Sequence, residues 1–262
     1  MEYEAYEKTL RKAKAFGNGA HIFVPKEWIN EELLIVRMYS QKNIKHEILD
    51  IISEYLDEVL GVYLIGSYAR NEEREDSDID VLVITSKLGK RIKQGKYDIL
   101  FISKDTVERQ LKTNILPILP MIKEAKSLIN SELIENYKNG KITEKNLSFH
   151  IETTKSAMAI VKTFLESSKL VSDGVIYSLI LRLRGVYIVD CLIRGKIFNN
   201  QDFIKLIEKI TRSEGLEAYK AYIRSKNEEK EKEVVKVDDA KNIYSYVLKK
   251  IEEQEAWVKG RK

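Results

Sequence analysis

The stretch LIGSYARNEEREDSDIDVLVIT, residues 64–85, followed by YDILFI, 97–102, decides how this chain folds. GVYLIGS and DIDVLVIT read as strands, and KYDILFIS as a third. Each has apolar residues on both faces, as expected of strands lying centrally in a sheet that is covered on each side. Side chains alternate along a strand, so Asp78, Asp80, Leu82 and Ile84 fall on one face. The two carboxylates are then about 6.6 Å apart along the backbone. At intermediate screening such a pair repels by about 2–3 kcal/mol. Two like charges at the mouth of an apolar strand call for a cation between them, and Mg²⁺ is a natural occupant. On the third strand Asp98 shares a face with Leu100 and Ile102, so neighbouring strands would bring three carboxylates together. Gly66-Ser67 follows the first strand directly. Glycine permits a tight turn and a close approach to phosphate, the Ser67 hydroxyl can bind phosphate oxygens, and Arg70 lies three residues on.

Working outward, residues 43–61 read as a helix capped by Asn43 and ended by Gly61. Its apolar positions Ile44, Ile48, Ile51, Ile52, Tyr55, Leu56 and Val59 form one stripe. LGKRIKQG (88–95) reads as a polar connection, and Asp105 with Glu108 has capping-box spacing for the next helix. From about residue 105 nearly everything has helical period, and no proline follows Pro120. Helices are expected near 146–168, 174–195, 201–212, 215–225 and 238–258. The charge run KNEEKEKE (226–233) reads as a solvated helix extension or linker. At the other end, a charged helix-like start precedes GNGAHIFVPKEWINEELLIVRM (17–38), which reads as two short strands around a turn.

The motif residues resemble the DNA-polymerase-beta-like nucleotidyltransferase superfamily, in its minimal and kanamycin-type branch. Ile65-Gly66-Ser67, a gap of ten residues, Asp78-Ile79-Asp80-Val81 and a later Asp98 match that pattern. The resemblance implies Mg²⁺-dependent, template-independent transfer of a nucleoside monophosphate, AMP from ATP, to a hydroxyl of a small molecule or a protein. Asp78 and Asp80 would hold two Mg²⁺ ions. Asp98 would complete the second site and help deprotonate the acceptor, while Gly66, Ser67 and Arg70 would bind the triphosphate. It also implies an α+β fold, in which a small mixed-sheet domain (43–140) is followed by an all-helical bundle domain (141–262). Residues 1–42 are expected to form a helix and β-hairpin extension before them.

That extension resembles half of the swapped-hairpin barrel of transition-state regulators and antitoxins, through Gly17-Asn18-Gly19 and Val24-Pro25-Lys26. A homodimer through the hairpin is what this implies. The alternative function is a nucleotide-sensing regulator that dimerises there and binds DNA. The helical half resembles helical partners of minimal nucleotidyltransferases, some of which carry an Arg-spacer-His RNase signature. No His follows Arg182 or Arg184 at that spacing, so RNase activity is not expected. Arg184 and Asp190 could line the acceptor pocket, but read first as a polar helix face.

Composition narrows the field further. The chain has 262 residues, 44% of them hydrophobic, and a net charge of +4, too mild a bias to mark a nucleic-acid binder. No apolar run is long enough to span a membrane and the N-terminus is no secretory signal, so a cytoplasmic protein is expected. The single cysteine, Cys191, excludes an intramolecular disulfide and reads as a buried thiol. His21, His46 and His150 lack ligand spacing and read as structural. Tyr177, Tyr187, Tyr219 and Tyr222 read as helical core and rim.

Overall fold

A computed structural model describes residues 11, 13–33, 41–75, 77–166, 170–211, 216–232 and 235–260. It divides into two compact units, Met1–Ile44 and Lys45–Lys262.

In the first unit, strands β1 (Lys14–Phe16) and β2 (Gly19–His21) pair antiparallel, Phe16 opposite Gly19. The turn is Gly17-Asn18, with Gly17 at φ +55°, where a side chain would be strained. The hairpin thus closes earlier than its motif suggests, because Gly17-Asn18 supplies the turn between strands instead of opening the first one. Pro25 then starts a single 3-10 turn, Lys26–Trp28. The expected charged helical start (1–10) and the LLIVRM segment from Leu34 onward lie outside the described residues.

The larger unit begins within helix α1 (Gln41–Ile51). This helix contains Asn43 instead of being capped by it, and it stops short of Val59. A 3-10 segment, Ser53–Glu58, carries the chain into β3 (Val59–Leu64). Gly61 is therefore a strand residue, and a Cβ there would collide with the Tyr63 ring. Helix α2 (Gly66–Arg70), β4 (Ile79–Thr85), β5 (Lys90–Gln94) and β6 (Tyr97–Ser103) follow. Then come α3 (Lys104–Thr113), α4 (Leu119–Glu124), β7 (Lys126–Ile129) and α5 (Ser131–Lys138). The sheet order is β5-β6-β4-β3-β7, with β4 and β6 parallel and the other pairs antiparallel. β4 is the middle strand, as its doubly apolar pattern requires.

Sequence pattern misplaced three local features here. LGKRIKQG holds the edge strand β5, whose lysines and arginine are what an unpaired edge tolerates. β7 interrupts the helical run as the opposite edge. The cap of α3 is Ser103, whose hydroxyl accepts from the Thr106 amide at 3.3 Å; Asp105 merely sits in the first turn.

One sheet face carries Tyr63, Leu82 and Ile84, which pack with Val107 of α3, Ile122 of α4 and Ile134 of α5. The other carries Val81, Val83, Ile99 and Phe101, covered by α1 and the turn after it. There Tyr55 meets Phe101 edge-on at 5.4 Å, and Tyr97 donates its hydroxyl hydrogen to Glu47.

The helical half comprises α6 (Glu144–Leu165), α7 (Asp173–Ile193), α8 (Asn200–Thr211), α9 (Glu217–Lys226) and α10 (Val237–Lys259). All five lie within a few residues of expectation, because buried residues recur along each at helical spacing. Thr143 and Asn146 form a reciprocal capping box at the start of α6. Asn227–Lys232 is exposed loop, not a helix extension. Two-residue strands β8 (Leu170–Val171) and β9 (Val235–Lys236) pair beside it. One core runs through the bundle and takes in Ile115 and Leu119 from the sheet half. The Asn146 amide donates to Leu111 O at 2.7 Å, pinning α6 to the end of α3. Among the described residues no helix is long and apolar enough to cross a membrane.

Candidate active site

The carboxylates meet because β4 and β6 are parallel neighbours in register, Asp80 opposite Asp98. Adjacent strands are about 4.8 Å apart, so these two acids lie side by side at the same end of the sheet. Asp78 lies exposed just before β4, while Asp98 is buried. The Ile65 amide donates to Asp80 O at 3.0 Å, which brings the turn after β3 against this point. Gly66 there has φ +69°, and a Cβ on it would run into the Asp80 carboxylate. No residue but glycine fits both conditions. Ser67 and Arg70 follow on α2.

The electrostatics are unbalanced. Asp80 is pushed up to about 6, first by burial and then by the charges of Asp98, Asp78 and Glu124, with Arg70 acting in the opposite direction. Asp98 moves the other way, below its usual range, because Arg91 grips it. Arg91 donates Nε to Oδ1 and Nη2 to Oδ2 of Asp98, both at 2.6 Å, and Lys93 Nζ stands 3.6 Å from Oδ2. Asp98 is thus brought to the acidic pair but turned to a guanidinium.

Arg70 is also occupied. It donates Nη1 to Glu124 at 2.5 Å and Nε to Glu72 at 2.8 Å, while the Gly66 amide donates to the other Glu124 oxygen at 2.8 Å. Glu124 thereby fills two of the donors assigned by sequence to phosphate. The bundle reaches the same place. The Phe198 ring has the Arg70 guanidinium 5.7 Å from its centre and that of Arg184 at 5.0 Å, and Asn199 donates to Glu72.

Sequence reading missed Glu124, Glu72, Arg91, Lys93, Phe198 and Asn199 as parts of this site. The only advance signal was for Arg91 and Lys93, whose alternation in KRIKQ fits a strand. Glu124 and Asn199 are brought in by tertiary packing and carry no local pattern.

Among the described residues no three His, Cys, Asp or Glu side chains converge as a ready-made metal cage. Hard oxygen donors still suit a divalent cation. Asp78 and Asp80 supply such donors. Asp98 would join them only by releasing Arg91.

A family model described as "Nucleotidyltransferase domain" matches residues 45–178, just over half of the chain. The chain belongs to this nucleotidyltransferase family. It is an enzyme of that class by membership. No curated protein matches the sequence. Solved structures with a similar chain path include a nucleotidyltransferase-like protein from Exiguobacterium sibiricum 255-15. It is 14% identical at a TM-score of 0.37, over 80% of this chain and 75% of its own. A second is the spectinomycin adenyltransferase AAD(9) from Enterococcus faecialis, solved with ATP and spectinomycin. It is 13% identical at a TM-score of 0.41, over 81% of this chain and all of its own.

Proposed function

We propose that this nucleotidyltransferase moves a nucleoside monophosphate, AMP from ATP, to a hydroxyl of a small molecule or protein without a template. The observation that carries the reading is the in-register pair Asp80 and Asp98, with Gly66 packed against Asp80 in a sequence that belongs to the family. In the balanced reaction the acceptor oxygen bonds to the α-phosphorus. The bond from that phosphorus to the bridging oxygen breaks, pyrophosphate departs with the electron pair, and the hydroxyl proton passes to a base.

Each residue then has a distinct task. Asp78 and Asp80 would hold Mg²⁺, with Asp98 as the further ligand. Bound there, two such ions would sharpen the nucleophile and stabilise charge on the α-phosphate and the departing group. Ser67 binds phosphate oxygens. The triphosphate competes with Glu124 for Arg70 and for the Gly66 amide, so Glu124 marks the place where an anion is accepted. Asp98 can take the acceptor proton only when Arg91 swings away, since the paired carboxylate is a weak base.

The test uses α-phosphate-labelled nucleotides with Mg²⁺ and a cell extract, comparing wild type with Asp78→Asn. Label should move to an acceptor with wild type and fall by at least about 100-fold in the variant, the scale of removing one charge-stabilising group. Wild type that binds Mg²⁺ and triphosphate but transfers to nothing would favour the nucleotide-sensing, DNA-binding regulator.

A further inference from the structure

The sheet order sets out the reactive face as a row. Gly66, Ser67 and Arg70 stand beyond the β3 end, then Asp80 on β4, Asp98 on β6 and Lys93 on β5, where Lys93 is the register partner of Asp98. With a strand spacing of about 4.8 Å, Asp80 and Lys93 are separated by about 10 Å. Arg91 is two residues from Lys93 on the same strand and so shares its face. A triphosphate held at the β3 end leaves the β6–β5 end to the molecule that supplies the hydroxyl. That end is basic. Of the basic residues on β5, Arg91 and Lys93 alternate onto the Asp98 face, while Lys90 lies on the other face and donates to the Tyr55 hydroxyl. The side chains of Arg91 and Lys93 are 60% and 70% exposed beside a buried Asp98.

The buried carboxylate at this end, Asp98, is already engaged by Arg91 and Lys93. A polyamine-like acceptor would need carboxylates at this end and would instead meet cations, which repel it. A phosphate would find a planar guanidinium and an ammonium within reach.

We infer that the acceptor carries a phosphate beside its reacting hydroxyl, bound by Lys93 and Arg91 on the outer edge of the sheet. This rests on the transfer reading above and names the acceptor class for it. The phosphate draws Arg91 away from Asp98 as the acceptor arrives, so acceptor binding itself frees that carboxylate. The small-molecule branch of that reading makes the acceptor a phosphomonoester, and treatment of the acceptor pool separates it from an RNA end.

An extract is passed over an anion exchanger, and the retained and unretained pools are assayed with α-labelled ATP and Mg²⁺. Acceptor activity should be retained. It should then be lost after alkaline phosphatase; loss to ribonuclease alone would mark an RNA end and overturn the assignment. Lys93→Glu should raise the apparent KM for the retained pool at least tenfold, leave the KM for ATP within twofold, and be rescued by Lys93→Arg. A merely structural Lys93 would not split the two KM values. Acceptor activity in the unretained pool, activity that survives both treatments, or an unchanged KM in Lys93→Glu would overturn the phosphate assignment while leaving transfer intact. No labelled product from any pool would remove the transfer reading and this inference together.

Discussion

At Gly66 two constraints meet that are usually separate. The backbone is left-handed, at φ +69°, and the space where a Cβ would stand is filled by Asp80. An alanine there carries about 1–2 kcal/mol of backbone strain and must also move a carboxylate. Gly66→Ala should therefore lower transfer by about 100-fold, as misplacing a reacting group by about 1 Å does, with a much smaller loss of thermal stability. Steady-state rates beside a melting curve check this. A second residue acts on stability alone. His150 is buried between α6 and Gly185 of α7. Burial above all, with the charge of Arg182 second in that direction, pushes it down to about 4, against a smaller upward pull from Gln254. A histidine lowered on folding contributes stability that is fully present above its ordinary value near 6.5. That stability is lost as pH falls from there towards 4, because the unfolded chain binds the proton more readily. The loss should reach about 3 kcal/mol by pH 4. In His150→Gln this component of the slope should vanish, as urea denaturation at steps between pH 7 and 4 would read.

Elements differ in how much of them the sequence declares. The five long bundle helices were legible because each turns a repeated apolar stripe to a shared core. The central strands β3, β4 and β6 were legible because they are apolar on both faces. β5 was not, since KRIKQ lies at an edge and offers only Ile92 as an apolar residue, and neither was the four-residue β7. The same limit applied to the site. Asp78, Asp80, Asp98 and Gly66 could be named because strand alternation and a tight turn are local properties. The grip of Arg91 on Asp98 depends on a cross-strand register, and that of Glu124 on Arg70 on packing between residues far apart in the chain. A comparable long-range clamp ties α7 to α9. Asp173, fully buried at the start of α7, accepts from Arg224 Nε and Nη2, each at 2.8 Å, and from the Lys232 amide at 3.1 Å. Arg224→Met strands that carboxylate and should cost about 3 kcal/mol. Adding Asp173→Asn should restore part of the loss, since a neutral amide tolerates burial better. Additive costs in a double-mutant cycle would show that the pair is not coupled.

Among its described residues up to 33, the N-terminal unit buries no side chain. Its hairpin has three residues per strand, and an isolated two-stranded ribbon is marginal in water. The described residues leave Phe16 73%, Phe23 69% and Ile29 62% exposed within fourteen positions. His21 sits between the two phenyl rings, edge-on to each, which holds both in one cluster. Scattered apolar residues on a surface are ordinary, but a cluster on an element this small is not. We propose that two copies of the unit pair through this cluster, a self-complementary contact of the kind that builds two-fold dimers. Light scattering on a sizing column should then give a dimer for the full chain and a monomer for Phe16→Ser/Phe23→Ser. The monomer should keep its transfer rate per chain, because every residue assigned to the reaction lies in the larger unit. A monomeric wild type would sink the proposal. A dimer that persists in the double variant would place the contact elsewhere, and a monomer that loses transfer would mean that a second chain completes the site.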